Sequence, residues 1–111
     1  MISINFIHTV PAFAPIGLSV TSQTSSSLTL AWMAPPLERQ NGLIIGYSVN
    51  VTNSDTGAST LLSSTGNSII VGQLSPYTSY LCSVAAQTIV GQGPYTSPIT
   101  VTTGEDGKNI I

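Results

Sequence analysis

The 111 residues suffice for one domain and leave no room for a second core. Only 5% of them carry charge, against about 25% in an average soluble protein, and two Lys/Arg against four Asp/Glu leave a net charge of −2. No basic run is available to neutralise phosphates, which excludes a nucleic-acid surface, and partners receive little electrostatic steering.

Along the chain, residues 1–14 come first and are fairly apolar, with Ala12-Phe13-Ala14 shaped like a cleavage site. They lack a basic start and are interrupted by Asn5, His8 and Thr9, so they are read as a linker or a truncated N-terminal end. From residue 15 onward no window holds a 3.6-residue apolar period, and β-branched residues dominate. Short alternating runs separated by turn residues predict an all-β sandwich of seven antiparallel strands over residues 15–104.

The first run follows Pro15 and puts Leu18 and Val20 on one face. The second, 27–32, turns Leu28, Leu30 and Trp32 inward and ends at Pro35-Pro36, because proline cannot donate to a ladder. A loop then runs to the Asn41-Gly42 turn. The third run, 45–52, alternates Ile45, Tyr47, Val49 and Val51 against Gly46, Ser48, Asn50 and Thr52. Two short polar runs, 58–63 and 68–71, follow as edge strands. The sixth, 78–88, places Tyr80, Cys82, Val84 and Ala86 inward, and Gly91-Gln92-Gly93-Pro94 is expected to turn the chain into a last strand at 96–103. Residues 105–111 are a C-terminal tail or linker.

In order and spacing these signals resemble a fibronectin type III domain, an immunoglobulin-like β-sandwich. The resemblance rests on Trp32 with Pro35-Pro36, on Gly46-Tyr47-Ser48-Val49, on Leu74-Ser75-Pro76-Tyr77-Thr78-Ser79-Tyr80, and on Val84-Ala85-Ala86 with Gly91-Gln92-Gly93-Pro94. It implies that Tyr80 makes a tyrosine corner, its hydroxyl bonding to backbone near residues 74–77. It also implies a non-enzymatic interaction and spacer module of a multidomain cell-surface or extracellular adhesion or receptor protein, with protein partners and neighbouring repeats of the same chain. The receptor-type tyrosine phosphatases carry similar repeats. A freestanding secreted or intracellular binding protein and an accessory domain of an extracellular enzyme share the fold and remain alternatives.

Residue chemistry agrees with a module that has no reaction of its own. His8 is the only histidine, no nucleophile, base and acid can be assembled, and no glycine-rich loop opens a helix, so no catalytic residue, cofactor, metal or small-molecule substrate is expected. The single Cys82 excludes an internal disulfide and a multi-cysteine zinc site. It falls on the inward face, with Trp32, Tyr47, Tyr80 and Val84, as an inert core thiol. No apolar stretch approaches the roughly 18 residues of a membrane span, so any anchor lies outside this chain.

Two surface features stand out. Leu37, Arg39, Leu43, Ile89 and Val90 sit in two loops that such a sandwich brings to one end, where they form a candidate protein-binding group or pack over the end of the core or against a neighbouring repeat. Asn50-Val51-Thr52 is the only N-glycosylation sequon, and strand alternation points Asn50 outward.

Overall fold

The computed structural model describes residues 10–36 and 41–104. Among these the regular structure is entirely extended, in eight strands: β1 (Ile16–Gln23), β2 (Leu28–Met33), β3 (Gly46–Asn53), β4 (Ser59–Ser64), β5 (Ser68–Val71), β6 (Ser79–Gln87), β7 (Gln92–Tyr95) and β8 (Ile99–Thr102). They form two antiparallel sheets. One has the order β1-β2-β5; the other has β4-β3-β6 with β7 and β8 both beyond β6.

The period-two pattern explains why these sheets stack. Leu28, Leu30 and Trp32 from β2 meet Tyr47, Val49 and Val51 from β3 and Tyr80, Cys82, Val84 and Ala86 from β6 in one buried cluster, joined by Val71 and Val101. Leu18 and Val20 of β1 are half-buried against it. Each large aliphatic or aromatic side chain removed from water contributes roughly 1.5 to 3 kcal/mol before chain entropy is subtracted, so this cluster holds the two layers together.

An eighth strand appears where seven were expected, because the segment read as a turn at Gly91-Gln92-Gly93-Pro94 is mostly strand β7. β7 pairs with β6 at Ala85 and Gln87, while β8 pairs with the same side of β6 from Ser79 to Cys82. The two are one course along β6, interrupted at residues 96–98. Pro98 has no N–H to offer a ladder there. Thr96 bridges the gap: its N–H donates to the Val84 carbonyl at 2.9 Å and its Oγ1 accepts from the Val84 N–H at 3.1 Å.

Three further departures are local. Ile45, expected inward, is largely exposed, since β3 begins one residue later at Gly46. Ala85 lies on the outward side of β6 yet is fully buried, beside Tyr95 of β7. Packing also begins before residue 15: Pro11 is fully buried, and its carbonyl oxygen lies 2.6 Å from where a side chain on Gly93 would start.

Candidate protein-binding pole

Strand directions sort the connections into two poles. β1, β3 and the neighbouring end of β6 bring residues 10–15, 34–36, 41–45, 65–67 and 88–91 to one end. Residues 24–27, 54–58, 72–78 and 103–104 gather at the other.

The first is the loop pole. Gly46 pairs with Gln87, and the Ile45 N–H donates to the Gln87 carbonyl at 2.8 Å, so the loops on either side leave the sheet together. One is a tight hairpin. The Thr88 N–H donates to the Gly91 carbonyl at 3.0 Å and the Gly91 N–H returns to the Thr88 carbonyl at 3.2 Å. This closure leaves only Ile89 and Val90 at the tip, 70% and 56% exposed. Turn chemistry selects Gly, Asn or Asp at such a tip, and two β-branched aliphatics there gain nothing from the turn itself.

Leu43 belongs to the other loop and is 71% exposed. The preceding Asn41 and Gly42 take φ of 59° and 139°, values that asparagine and glycine tolerate best. The Asn41 amide donates to the Val10 carbonyl at 3.3 Å, tying this loop to the N-terminal segment. Leu37 and Arg39 lie outside the described residues.

Beneath the loops the pole is held by packing. Trp32 and Tyr47 meet edge to face with ring centroids 5.4 Å apart, and Pro35, two residues beyond β2, is fully buried. The Trp32 indole Nε1 is buried without a hydrogen-bond partner among the described residues, so ring shape and area account for a tryptophan here. Burial raises the Tyr47 phenol above its usual pKa. On the outer face nearby, the Gln87 amide donates to the Ser48 hydroxyl.

The opposite pole is bound by hydrogen bonds. The Thr103 hydroxyl donates to the Ser75 carbonyl at 2.6 Å and accepts the Thr78 N–H at 2.9 Å. The Tyr80 hydroxyl accepts the Ser75 N–H at 2.9 Å, closing a tyrosine corner. Leu74 and Gly104 bond to the Ser26 and Thr24 carbonyls, and the Tyr77 N–H reaches the Gly104 carbonyl. Gln73 and Tyr77 are held at φ of 59° and 53° within this network. In the sequence Thr103 only opens Thr103-Gly104-Glu105-Asp106, which resembles the end of a fibronectin type III repeat and gives no sign of this bonding role, although the alternation Ile99, Val101, Thr103 points it inward.

Elsewhere, Cys82 is fully buried, and burial pushes its thiol from 9.0 to about 11. Val84 is fully buried beside it. Asn50 lies half-buried on the outer face of the five-stranded sheet. A cleft of about 610 Å³ opens beside β1 and β8, lined by Val20, Gln23, Tyr77 and Thr103, and one of about 450 Å³ opens between β4 and β5.

Two stacked antiparallel sheets, the corner at Tyr80 and the Trp32 core define an immunoglobulin-like β-sandwich. The family model of the fibronectin type III domain matches residues 13–102, and the chain belongs to that family. Over 100 residues it is 37% identical to tyrosine-protein phosphatase Lar of Drosophila melanogaster, covering 87% of this chain and 5% of that protein. It is 38% identical over 92 residues to ephrin type-B receptor 3 of Mus musculus, and 37% over 94 residues to protein sidekick-2 of the same organism. These matches cover 82% and 80% of the chain but 9% and 4% of the two relatives, so the chain spans a small fraction of each relative's length. Among solved structures, the FN5 domain of Drosophila Lar superposes with a TM-score of 0.69 at 27% identity, covering 86% of this chain and 98% of that one. Titin domains A168–A170 give a TM-score of 0.76 at 23% identity over 86% of this chain and 33% of theirs, a likeness of fold.

Proposed function

We propose that this domain is a non-enzymatic protein-interaction and spacer module of a larger cell-surface or extracellular adhesion or receptor protein, and that it contacts protein through the loop pole. One observation carries the binding half: a tight hairpin whose tip is Ile89 and Val90, both largely exposed, at the same pole as exposed Leu43. Exposed aliphatics on a rigid turn offer a partner apolar area at little cost in ordering entropy. The low charge leaves shape and apolar contact to carry recognition. The surface location rests on the kinship with repeats of Lar, ephrin type-B receptor 3 and the sidekick proteins. Leu37 and Arg39 extend the proposed contact by their place in the same loop as Leu43.

A panel of cell-surface ectodomains probed with the tetramerised domain tests this reading. Capture of a defined ectodomain by the parent, and its loss in an Ile89→Ser, Val90→Ser double variant of unchanged melting temperature, is the expected result. Equal capture by both would move the contact off this pole, and no capture at all would leave the spacer role alone.

A further inference from the structure

Asn50 sits in the middle of β3, inside the five-stranded sheet, with β4 on one side and β6 on the other. Leu61 and Ser83 lie directly opposite it, and Thr52, two residues on, faces Ser59 and Leu81. Strand alternation places all six on the same outward face. Around Asn50 and Thr52 the other neighbours are serines, yet Leu61 is 66% exposed and Leu81 37% exposed. The two leucines flank the only sequon in the chain.

The edge beside them is also unguarded. Among the described residues β4 pairs only with β3, leaving its other edge open, and no Asp, Glu, Lys or Arg occurs in the sequence between Thr56 and Gly104. Edge strands are normally protected from pairing with other chains by charge, proline, bulges or a covering segment. β4 has no charge, no proline and an unbroken register with β3.

From this juxtaposition we infer that Asn50 carries an N-linked glycan whose first sugars lie over Leu61 and Leu81 and shield the β4 edge. The Asn50 Nδ2 attacks C1 of the first N-acetylglucosamine of a polyprenyl-pyrophosphate-linked oligosaccharide. A C1–N bond forms, the C1–O bond to pyrophosphate breaks, the amide gives up one proton and the polyprenyl pyrophosphate leaves. Transfer precedes closure of the sheet, because in the folded domain the Thr52 hydroxyl is paired with the Ser59 hydroxyl at 2.8 Å. Once the sheet has closed, the glycan stem leaves perpendicular to the face, where no strand among the described residues obstructs it. The C–H faces of the sugar rings then remove leucine surface from water. The loop pole stays open, since Asn50 lies mid-strand.

This inference rests on passage through a secretory compartment, so the test supplies that passage separately. The chain is fused behind a leader from another secreted protein and expressed in a eukaryotic secretory host. Intact mass should show a glycan that peptide-N-glycosidase removes, leaving aspartate at position 50. Asn50→Gln and Thr52→Ala should each abolish it, and Thr52→Ser should keep it. Nuclear Overhauser contacts should link the N-acetyl methyl group to the Leu61 and Leu81 methyls. An unmodified Asn50 peptide in the secreted, folded protein would overturn the site while leaving the surface-module reading intact, and a glycan without leucine contacts would overturn the shielding. If the protein is retained in the cell, peptide mapping of the microsomal fraction reads the same modification: a glycosylated Asn50 peptide upholds the site and an unmodified one overturns it.

Discussion

The two ends of this sandwich are built on different physics. At one, residues 24–27, 72–78 and 103–104 are joined by backbone and hydroxyl hydrogen bonds that converge on Thr103 and the Tyr80 hydroxyl. At the other, shape does the holding: Trp32 against Tyr47, the buried Pro35, and Pro11 against Gly93. Its outermost residues, Leu43, Ile89 and Val90, contribute little to either. Hydrogen bonds demand fixed partners and tolerate few changes of residue. A packed base only has to be filled, which leaves the tips above it free to vary with the partner.

Substitutions can break this contrast, and the largest effect belongs to the packed base. Trp32→Ala is expected to cost roughly 3 to 5 kcal/mol by cavity formation, much of a small domain's stability. Urea unfolding followed by far-ultraviolet circular dichroism reads it, and an unchanged midpoint would remove Trp32 from the core.

Gly93→Ala comes next. Its Cβ would stand 2.6 Å from the Pro11 carbonyl oxygen and 2.8 Å from the Pro11 Cβ, closer than atoms can pack, so the N-terminal segment must shift. Overpacking of this kind costs about 1 to 3 kcal/mol. A deletion through Pro11 in the Gly93→Ala background separates the causes: it should recover the clash component, and a double variant no better than Gly93→Ala would place the strain elsewhere.

The hydrogen-bonded pole should respond with comparable or smaller losses but with coupling. Tyr80→Phe strands the Ser75 N–H and Thr103→Val removes the bonds to Ser75 and Thr78, each at about 1 to 3 kcal/mol. Because both act on Ser75, a double-mutant cycle should be non-additive. Strict additivity would mean that the two bonds serve separate units.

Cys82 gives a subtler readout. In the unfolded chain the thiol ionises near 9.0, whereas burial keeps it protonated in the folded domain up to about 11. Its contribution is complete below pH 9 and is lost as pH rises toward 11, because only the unfolded chain releases the proton in that window. Tyr47 shifts in the same direction from its usual 10.0, so the Cys82→Ala difference isolates the thiol. Native-state labelling with a thiol reagent should be slow, and fast labelling would place Cys82 at the surface. The smallest stability effects are expected at the tip, where Leu43→Ser, Ile89→Ser and Val90→Ser should each stay within about 0.5 kcal/mol. A larger loss in a thermal melt would make those residues part of the fold instead of the contact surface.

Much of the framework was legible because alternation is a local property. Leu28, Leu30 and Trp32, and Tyr80, Cys82, Val84 and Ala86, reveal their face within five and seven residues, with no knowledge of what covers them. β7 was not legible. Gly91-Gln92-Gly93-Pro94 has turn composition, and only the open edge of β6 at Ala85 and Gln87 turns part of it into strand. Ile45 continued the alternation of Tyr47 and Val49 but sits one residue before β3, where no opposing layer covers it. Of the candidate contact residues, Leu43, Ile89 and Val90 could be placed in loops from turn signals. Their gathering at one pole was expected from the family resemblance and not from any local pattern, and it rests on the pairing of Gly46 with Gln87, a relation 41 positions apart in the chain.

Sequence alone therefore determined the all-β class, the family resemblance and the inward face of the central strands, since each rests on periodicity or on motifs a few residues long. Tertiary structure decided which residues with the same local pattern were buried and how one edge course split into β7 and β8. Those outcomes depend on contacts between distant segments, and no local pattern contains the position of the segment that supplies the cover.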